Sequence, residues 1–193
     1  MSFSQPHPKI KVYDDVYDWS QQQSIYLKCL GSPYKVGWSD SITEPEQFMH
    51  STITEEMWKH RLQIDQSLDD FYNLLFNSKP YKGMANNEVC QTVINCDTIS
   101  DSHTKHIHPN QEVLLYYVNT DWKDGWGGET FFYDEKGQEI IFTSPYTPNR
   151  VIQFSGDLVH RFAGPTMSGP KFRFSISTFF WKQKEQEPIR KNK

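Results

Sequence analysis

The stretch that decides the fold is His106-Ile107-His108-Pro109-Asn110, followed closely by Val113-Leu114-Leu115-Tyr116-Tyr117-Val118-Asn119. Residues two apart in extended chain point to the same side, so the imidazoles of His106 and His108 can reach one metal ion. Imidazole is the commonest neutral metal ligand and suits Fe, Zn, Cu and Ni. Histidines also collect in polar loops, so the pair gains meaning only from the rest of the chain.

Downstream of the pair the chain reads as short strands: 88–97, 113–119, 129–134, 139–142, 150–154, 158–162 and 172–181. Gly, Pro, Asn and Asp punctuate them, with no helical pattern between. That order argues for a sandwich or barrel rather than alternating α/β units. Upstream the pattern is more helical. Residues 14–30 read as a helix capped by Asp14 or Asp15 and stopped by Gly31-Ser32-Pro33. Short strands are expected at 10–13 and 34–38. Thr52-Ile53-Thr54-Glu55 has the form of a capping box. Met57, Arg61, Ile64, Leu68, Phe71 and Leu75 then fall on one helical face, ending at Asn77-Ser78-Lys79-Pro80. The stem of Arg61 is expected to lie along that face.

The expected architecture is therefore mainly β with flanking helices (α+β), built on a jelly-roll core. All 193 residues form one domain in this reading, with helical support over about 1–80, the core over about 81–182 and a charged tail at 183–193. Aromatic residues make up 15% of the chain, which is strand material. A net charge of −4 with no basic block disfavours a nucleic-acid partner. Cys29, Cys90 and Cys96 show no paired spacing, which fits a reducing, cytoplasmic compartment. The start has no apolar leader core and no run is long enough to span a membrane. Oligomeric state is not legible.

Three further features bear on chemistry. His160 follows the turn Ser155-Gly156-Asp157 at the start of a strand. Strand ends meet at the mouth of a jelly roll, so His106, His108 and His160 can form a three-point site; taken alone, His160 reads first as a satisfied, half-buried structural histidine. On the last strand, Arg173, Ser175 and Ser177 alternate with Phe172, Phe174 and Ile176. An inward cation is costly unless it meets an anion, and guanidinium is suited to a carboxylate fork. A structural salt bridge to an Asp or Glu would serve equally well. Tyr117 shares a face with Val113 and Leu115, and its hydroxyl can join the same anion.

The array His106-x-His108, Leu114 to Asn119, Trp122, Gly127-Gly128-Glu129-Thr130, Pro148-x-Arg150, Phe154, Gly156, His160 and Arg173-x-Ser175 resembles the Fe(II)/2-oxoglutarate-dependent dioxygenases. It is most similar to their prolyl 4-hydroxylase-like branch, including small bacterial and phage-encoded members, over roughly residues 86–181. The resemblance implies a double-stranded β-helix of the jelly-roll or cupin type. It implies His106 and His160 as iron ligands, Arg173 and Ser175 on the distal carboxylate of 2-oxoglutarate, and Tyr117 beside them. It reads Gly127 to Thr130 as a packing turn. The implied cofactors are Fe(II), 2-oxoglutarate and O2, with ascorbate as a supporting reductant. The implied reaction converts 2-oxoglutarate to succinate and CO2 while a C–H bond is hydroxylated. A cytoplasmic location follows, that of the host cell for a phage-encoded member.

One departure stands out. The family's second ligand is Asp or Glu, and position 108 is His. Either His108 serves as the ligand, or the register shifts so that Asn110 or His103 does. The implied substrate is a proline-containing peptide or protein, with Trp122, Trp126 and Tyr116 as contacts and Phe179 and Trp181 nearby. Two other functions use the same residues: a three-histidine zinc enzyme, or a non-catalytic jelly-roll binding module in which Trp122 and Trp126 stack on a ligand.

Overall fold

The computed structural model describes residues 1–38, 47–99 and 101–182. The expected charged tail at 183–193 lies outside the described residues. In chain order the elements are β1 (Ser2–His7), β2 (Ile10–Asp14), α1 (Trp19–Leu30), β3 (Lys35–Trp38), β4 (Phe48–Thr54), α2 (Glu55–Lys59), α3 (Arg61–Ile64), α4 (Gln66–Phe76) and α5 (Lys79–Lys82). They are followed by β5 (Val89–Thr98), β6 (Gln111–Tyr117), β7 (Thr130–Tyr133), β8 (Ile140–Ser144), β9 (Val151–Ser155), β10 (His160–Phe162) and β11 (Phe172–Trp181).

The strands form a large antiparallel sheet in the order β1-β2-β9-β6-β11-β5-β4-β3 and a small one in the order β10-β7-β8. Alternation along each strand splits the side chains between two cores. Leu114, Tyr116, Phe174, Ile176 and Phe180 face the helices, where they meet Ile25, Trp58, Phe71 and Leu75. Val113, Leu115, Tyr117 and Phe179 face the small sheet, where they meet Phe132 and Phe162. The large sheet is thus covered on one face by helices and on the other by the small sheet, the mainly β architecture with flanking helices expected from the pattern.

The strands expected at 10–13 and 34–38 are present as β2 and β3. Residues 1–80 contribute two more, β1 and β4, and the four together extend both edges of the large sheet. The first helix starts later than Asp14 or Asp15. Asp14 lies on β2 and pairs with Arg150 through two contacts of 2.6 and 3.1 Å. Asp18 is the true cap, with Gln21 completing a reciprocal capping box. The second helical region is not one continuous helix. Thr52 belongs to β4, and Thr54 caps α2 by accepting from the Met57 N–H. Asp65 then adopts an extended backbone and caps α4. This break removes Ile64 from the apolar face, leaving it exposed, and Trp58 is buried instead. Arg61 bonds Asp69 at 2.9 Å and stacks its guanidinium 3.8 Å from the Tyr72 ring.

Candidate metal centre and its buried arginine

Three histidines converge from separate parts of the chain. His106 lies in the connection between β5 and β6 and forms an isolated antiparallel bridge with His160 at the start of β10. His108 is seated by its N–H donating to the Gly156 carbonyl at 2.7 Å. The ring centroids stand 4.4 Å apart for His106–His160, 4.9 Å for His106–His108 and 5.2 Å for His108–His160. One potential ligand atom from each lies within 4.8 Å of the others. Sequence reasoning placed these three side chains together, and the structure does so.

Backbone carbonyls orient two of the rings. Nδ1 of His106 lies 2.9 Å from the Thr104 oxygen, and Nδ1 of His160 lies 2.8 Å from the Leu158 oxygen. A carbonyl only accepts, so each Nδ1 carries a proton, and it is Nε2 that is left to offer a lone pair to a metal. Fixing a ligand's tautomer through its far nitrogen is how outer-shell contacts prepare metal sites. The donor set is three imidazoles, which fits a divalent first-row metal. His103 is not in this group. Its ring stacks 3.6 Å from the Phe48 ring, and its Nε2 lies 3.1 Å from an Asp97 carboxylate oxygen. Asn110 is exposed in a left-handed turn with φ 60°.

Beside the histidines a cavity is walled by Val93, Asn95, Val113, Phe162, Ser177 and Phe179. The Phe162 ring links the cluster to the arginine: it lies 6.0 Å from His106, 5.8 Å from His160 and 5.7 Å from the Arg173 guanidinium. Arg173 is fully buried. Its Nε donates to the Gly128 carbonyl at 3.1 Å, and its Nη1 contacts Asp97 Oδ2 at 2.5 Å and Ser175 Oγ at 3.2 Å. Tyr117 and Tyr146 rings stand 5.5 and 5.1 Å from the guanidinium carbon. The Tyr117 hydroxyl donates to Thr130 Oγ1 at 2.7 Å. Among the described residues, Nη2 of Arg173 has no hydrogen-bond partner. A buried, unsatisfied guanidinium N–H is costly, and it fits an acidic ligand group.

Asp97 is the functional neighbour that sequence reasoning missed. It stands opposite Arg173 across β5 and β11 and is fully buried. Burial alone would raise its pKa, but the His103 hydrogen bond and the Arg173 charge outweigh it and hold the carboxyl below its ordinary value. Alternation on β5 narrows the candidates, since Val93, Asn95 and Asp97 share the face of Arg173, but which of them stands opposite it is set by register.

The expected substrate contacts fare differently. Tyr116 faces the helices, fully buried, with its ring 5.1 Å from Tyr17. It is on the wrong side of the sheet for the site, because it alternates with Tyr117. Trp122 is partly buried against the Tyr146 ring at 4.2 Å, with its Nε1 donating to Gly127. Trp126 packs edge-on to Trp122 at 6.0 Å. Trp122 thus packs on the Tyr146 ring that flanks Arg173, Trp126 packs on Trp122, and neither lines the cavity. Phe179 does line the cavity and meets His108 at 4.6 Å, whereas Trp181 is exposed.

Comparison with solved structures places this geometry. A prolyl hydroxylase from Trichoplax adhaerens, in complex with a hypoxia-inducible-factor peptide fragment, superposes with TM-score 0.64 at 11% identity, covering 90% of this chain and 84% of that one. A Pseudomonas putida prolyl-4-hydroxylase gives 0.63 at 10% identity, covering 91% and 93%. A 2OG-Fe(II) oxygenase family member from Burkholderia pseudomallei gives 0.61 at 12%, covering 91% and 86%. The chain has the double-stranded β-helix fold of these oxygenases. No family model and no curated protein sequence matches it. Among the described residues, no helix is long and apolar enough to cross a membrane.

Proposed function

We propose that the protein is an Fe(II)- and 2-oxoglutarate-dependent dioxygenase that hydroxylates prolyl residues in a peptide or protein. The observation that carries this is the pairing, in one oxygenase-type fold, of a three-histidine cluster with a buried arginine whose Nη2 has no hydrogen-bond partner among the described residues. His106, His108 and His160 would hold the iron. Arg173, aligned by Gly128 and Ser175, would take the distal carboxylate of 2-oxoglutarate, with Tyr117 packing beside it. When bound, the metal and co-substrate supply an O2-dependent oxidation that yields succinate, CO2 and a hydroxylated C–H bond.

The chain's own contribution is orientation and exclusion of water. The Thr104 and Leu158 carbonyls fix two imidazole tautomers. Val93, Val113, Phe162 and Phe179 give the cavity apolar walls. The prolyl assignment draws on the resemblance and on the hydroxylases among the structural neighbours, one of them solved with a peptide. Incubating the iron-loaded protein with 2-oxoglutarate and a panel of proline-rich peptides tests it. One added oxygen on proline, seen by mass spectrometry, is the expected result. Oxidation confined to other residues or to small metabolites overturns the prolyl assignment.

The donor set favours one other reading. Three neutral imidazoles also suit catalytic zinc. That leaves the Arg173 edge without a task, and metal analysis of the protein purified under anaerobic conditions separates the two.

A further inference from the structure

Arg173 meets a carboxylate of its own chain before any ligand arrives. Asp97 and Arg173 are both fully buried and touch at 2.5 Å. The second Asp97 oxygen takes a hydrogen bond from His103 Nε2 at 3.1 Å. His103 is itself fixed by stacking on Phe48 and by an edge contact with Phe162 at 5.2 Å. Asp97 is therefore rigidly held, and it consumes one terminal nitrogen of the guanidinium fork, leaving Nη2 for a ligand.

This changes the electrostatics of the site. A lone buried guanidinium would attract an anion strongly; one already compensated by a carboxylate presents a neutral ion pair. Imidazole ligates a metal as the neutral ring, so three such ligands would not offset the divalent charge of a bound metal. Positive charge would then be concentrated at the histidine end of the site, with the arginine end close to balanced by Asp97.

We propose that Asp97 is a built-in counter-charge to the arginine that takes the co-substrate's distal carboxylate. It keeps Arg173 aligned and compensated in the empty protein, and it limits how strongly the site prefers a dicarboxylic over a monocarboxylic 2-oxo acid. Asp97 is thus a positioning and specificity residue that acts through Arg173. The inference rests on the dioxygenase reading above.

Calorimetric titration of the Mn(II)-loaded full chain with 2-oxoglutarate, and with 2-oxopentanoate, which lacks the distal carboxylate, tests it. The parent protein is expected to favour 2-oxoglutarate by no more than about tenfold. Asp97→Asn should melt at lower temperature without ligand, bind 2-oxoglutarate about tenfold more tightly, and leave 2-oxopentanoate binding unchanged. A purely structural Asp97 would lower the melting temperature without altering this selectivity. Should Asp97→Asn not fold, the parent ratio decides, and a preference of about a hundredfold or more overturns the proposal. Unchanged or weaker 2-oxoglutarate binding in Asp97→Asn overturns the role of Asp97 but leaves the dioxygenase reading standing. Failure of the metal-loaded parent to bind either acid overturns both.

Discussion

His106 and His160 exchange both backbone hydrogen bonds, at 3.0 and 3.1 Å, although one lies in the connection between β5 and β6 and the other opens β10. This two-bond bridge is the narrow pair of an antiparallel ladder, and it sets both side chains on the same face. The metal cluster is therefore held by main chain, and only His108 depends on a loop contact. Its anchor is the Gly156 carbonyl.

Replacing His108 with Ala should weaken Mn(II) or Fe(II) binding by at least about a hundredfold, beyond the range seen for outer-shell changes. His103→Ala should leave metal affinity intact and lower thermal stability instead, because it strips a hydrogen bond from buried Asp97. Metal titration of the two variants checks this, and the reverse pattern would assign the ligand to His103.

Gly156 is required by close approach. A Cβ there would lie 2.3 Å from the His108 carbonyl oxygen and 2.8 Å from that of Gln111. Both contacts are backbone, so the loop itself must move. Gly156→Ala should cost about 1–3 kcal/mol of stability and loosen the metal site with it. Chemical denaturation and metal titration read the two effects.

Arg173→Ala leaves Asp97 buried without its cation. Breaking a buried pair in this way costs about 3–5 kcal/mol of stability. Loss of the acid anchor, with unpaired Asp97 left to repel the incoming carboxylate, should weaken 2-oxoglutarate binding by about 2–5 kcal/mol, more than the parent's roughly tenfold dicarboxylate preference, while the histidines still hold metal. The double variant Arg173→Ala/Asp97→Asn removes both charges and should be more stable than Arg173→Ala alone. A double-mutant cycle on melting temperature measures that coupling.

The same pair predicts an acid limb. The folded-state pKa of Asp97 is depressed, by the His103 hydrogen bond and Arg173 against burial. The stability it contributes is therefore fully present above the unfolded value of about 4 and is lost as pH falls below it toward the depressed folded value. Asp97→Asn should flatten the acid limb in that window when denaturation midpoints are followed against pH.

The seven strands after residue 87 were legible because alternation and turn residues mark them, and β11 runs over the expected residues 172–181. The N-terminal region was less legible. β1 carries Pro6 and is exposed along most of its length, so it has no periodic apolar signal. The break at Asp65 was hidden because a capping aspartate inside an apolar pattern resembles an ordinary exposed helix residue. In the site, His106, His108 and His160 could be read from spacing and turn position. Tyr116 was misplaced against its own alternation: with Tyr117 on the face of Val113 and Leu115, its neighbour must turn to the helices. Asp97 was passed over because the partner of a buried arginine is set by strand register, here Arg173 against Asp97, which the sequence does not print.

In the proposed function a metal and an acid share one site. Titrating the parent protein with 2-oxoglutarate, with and without Mn(II) under anaerobic conditions, decides whether they do. One 2-oxoglutarate per chain is expected, bound only when metal is present and lost in His160→Ala. Binding that is indifferent to the metal, or absent from a protein whose three histidines demonstrably hold it, would rule the shared site out.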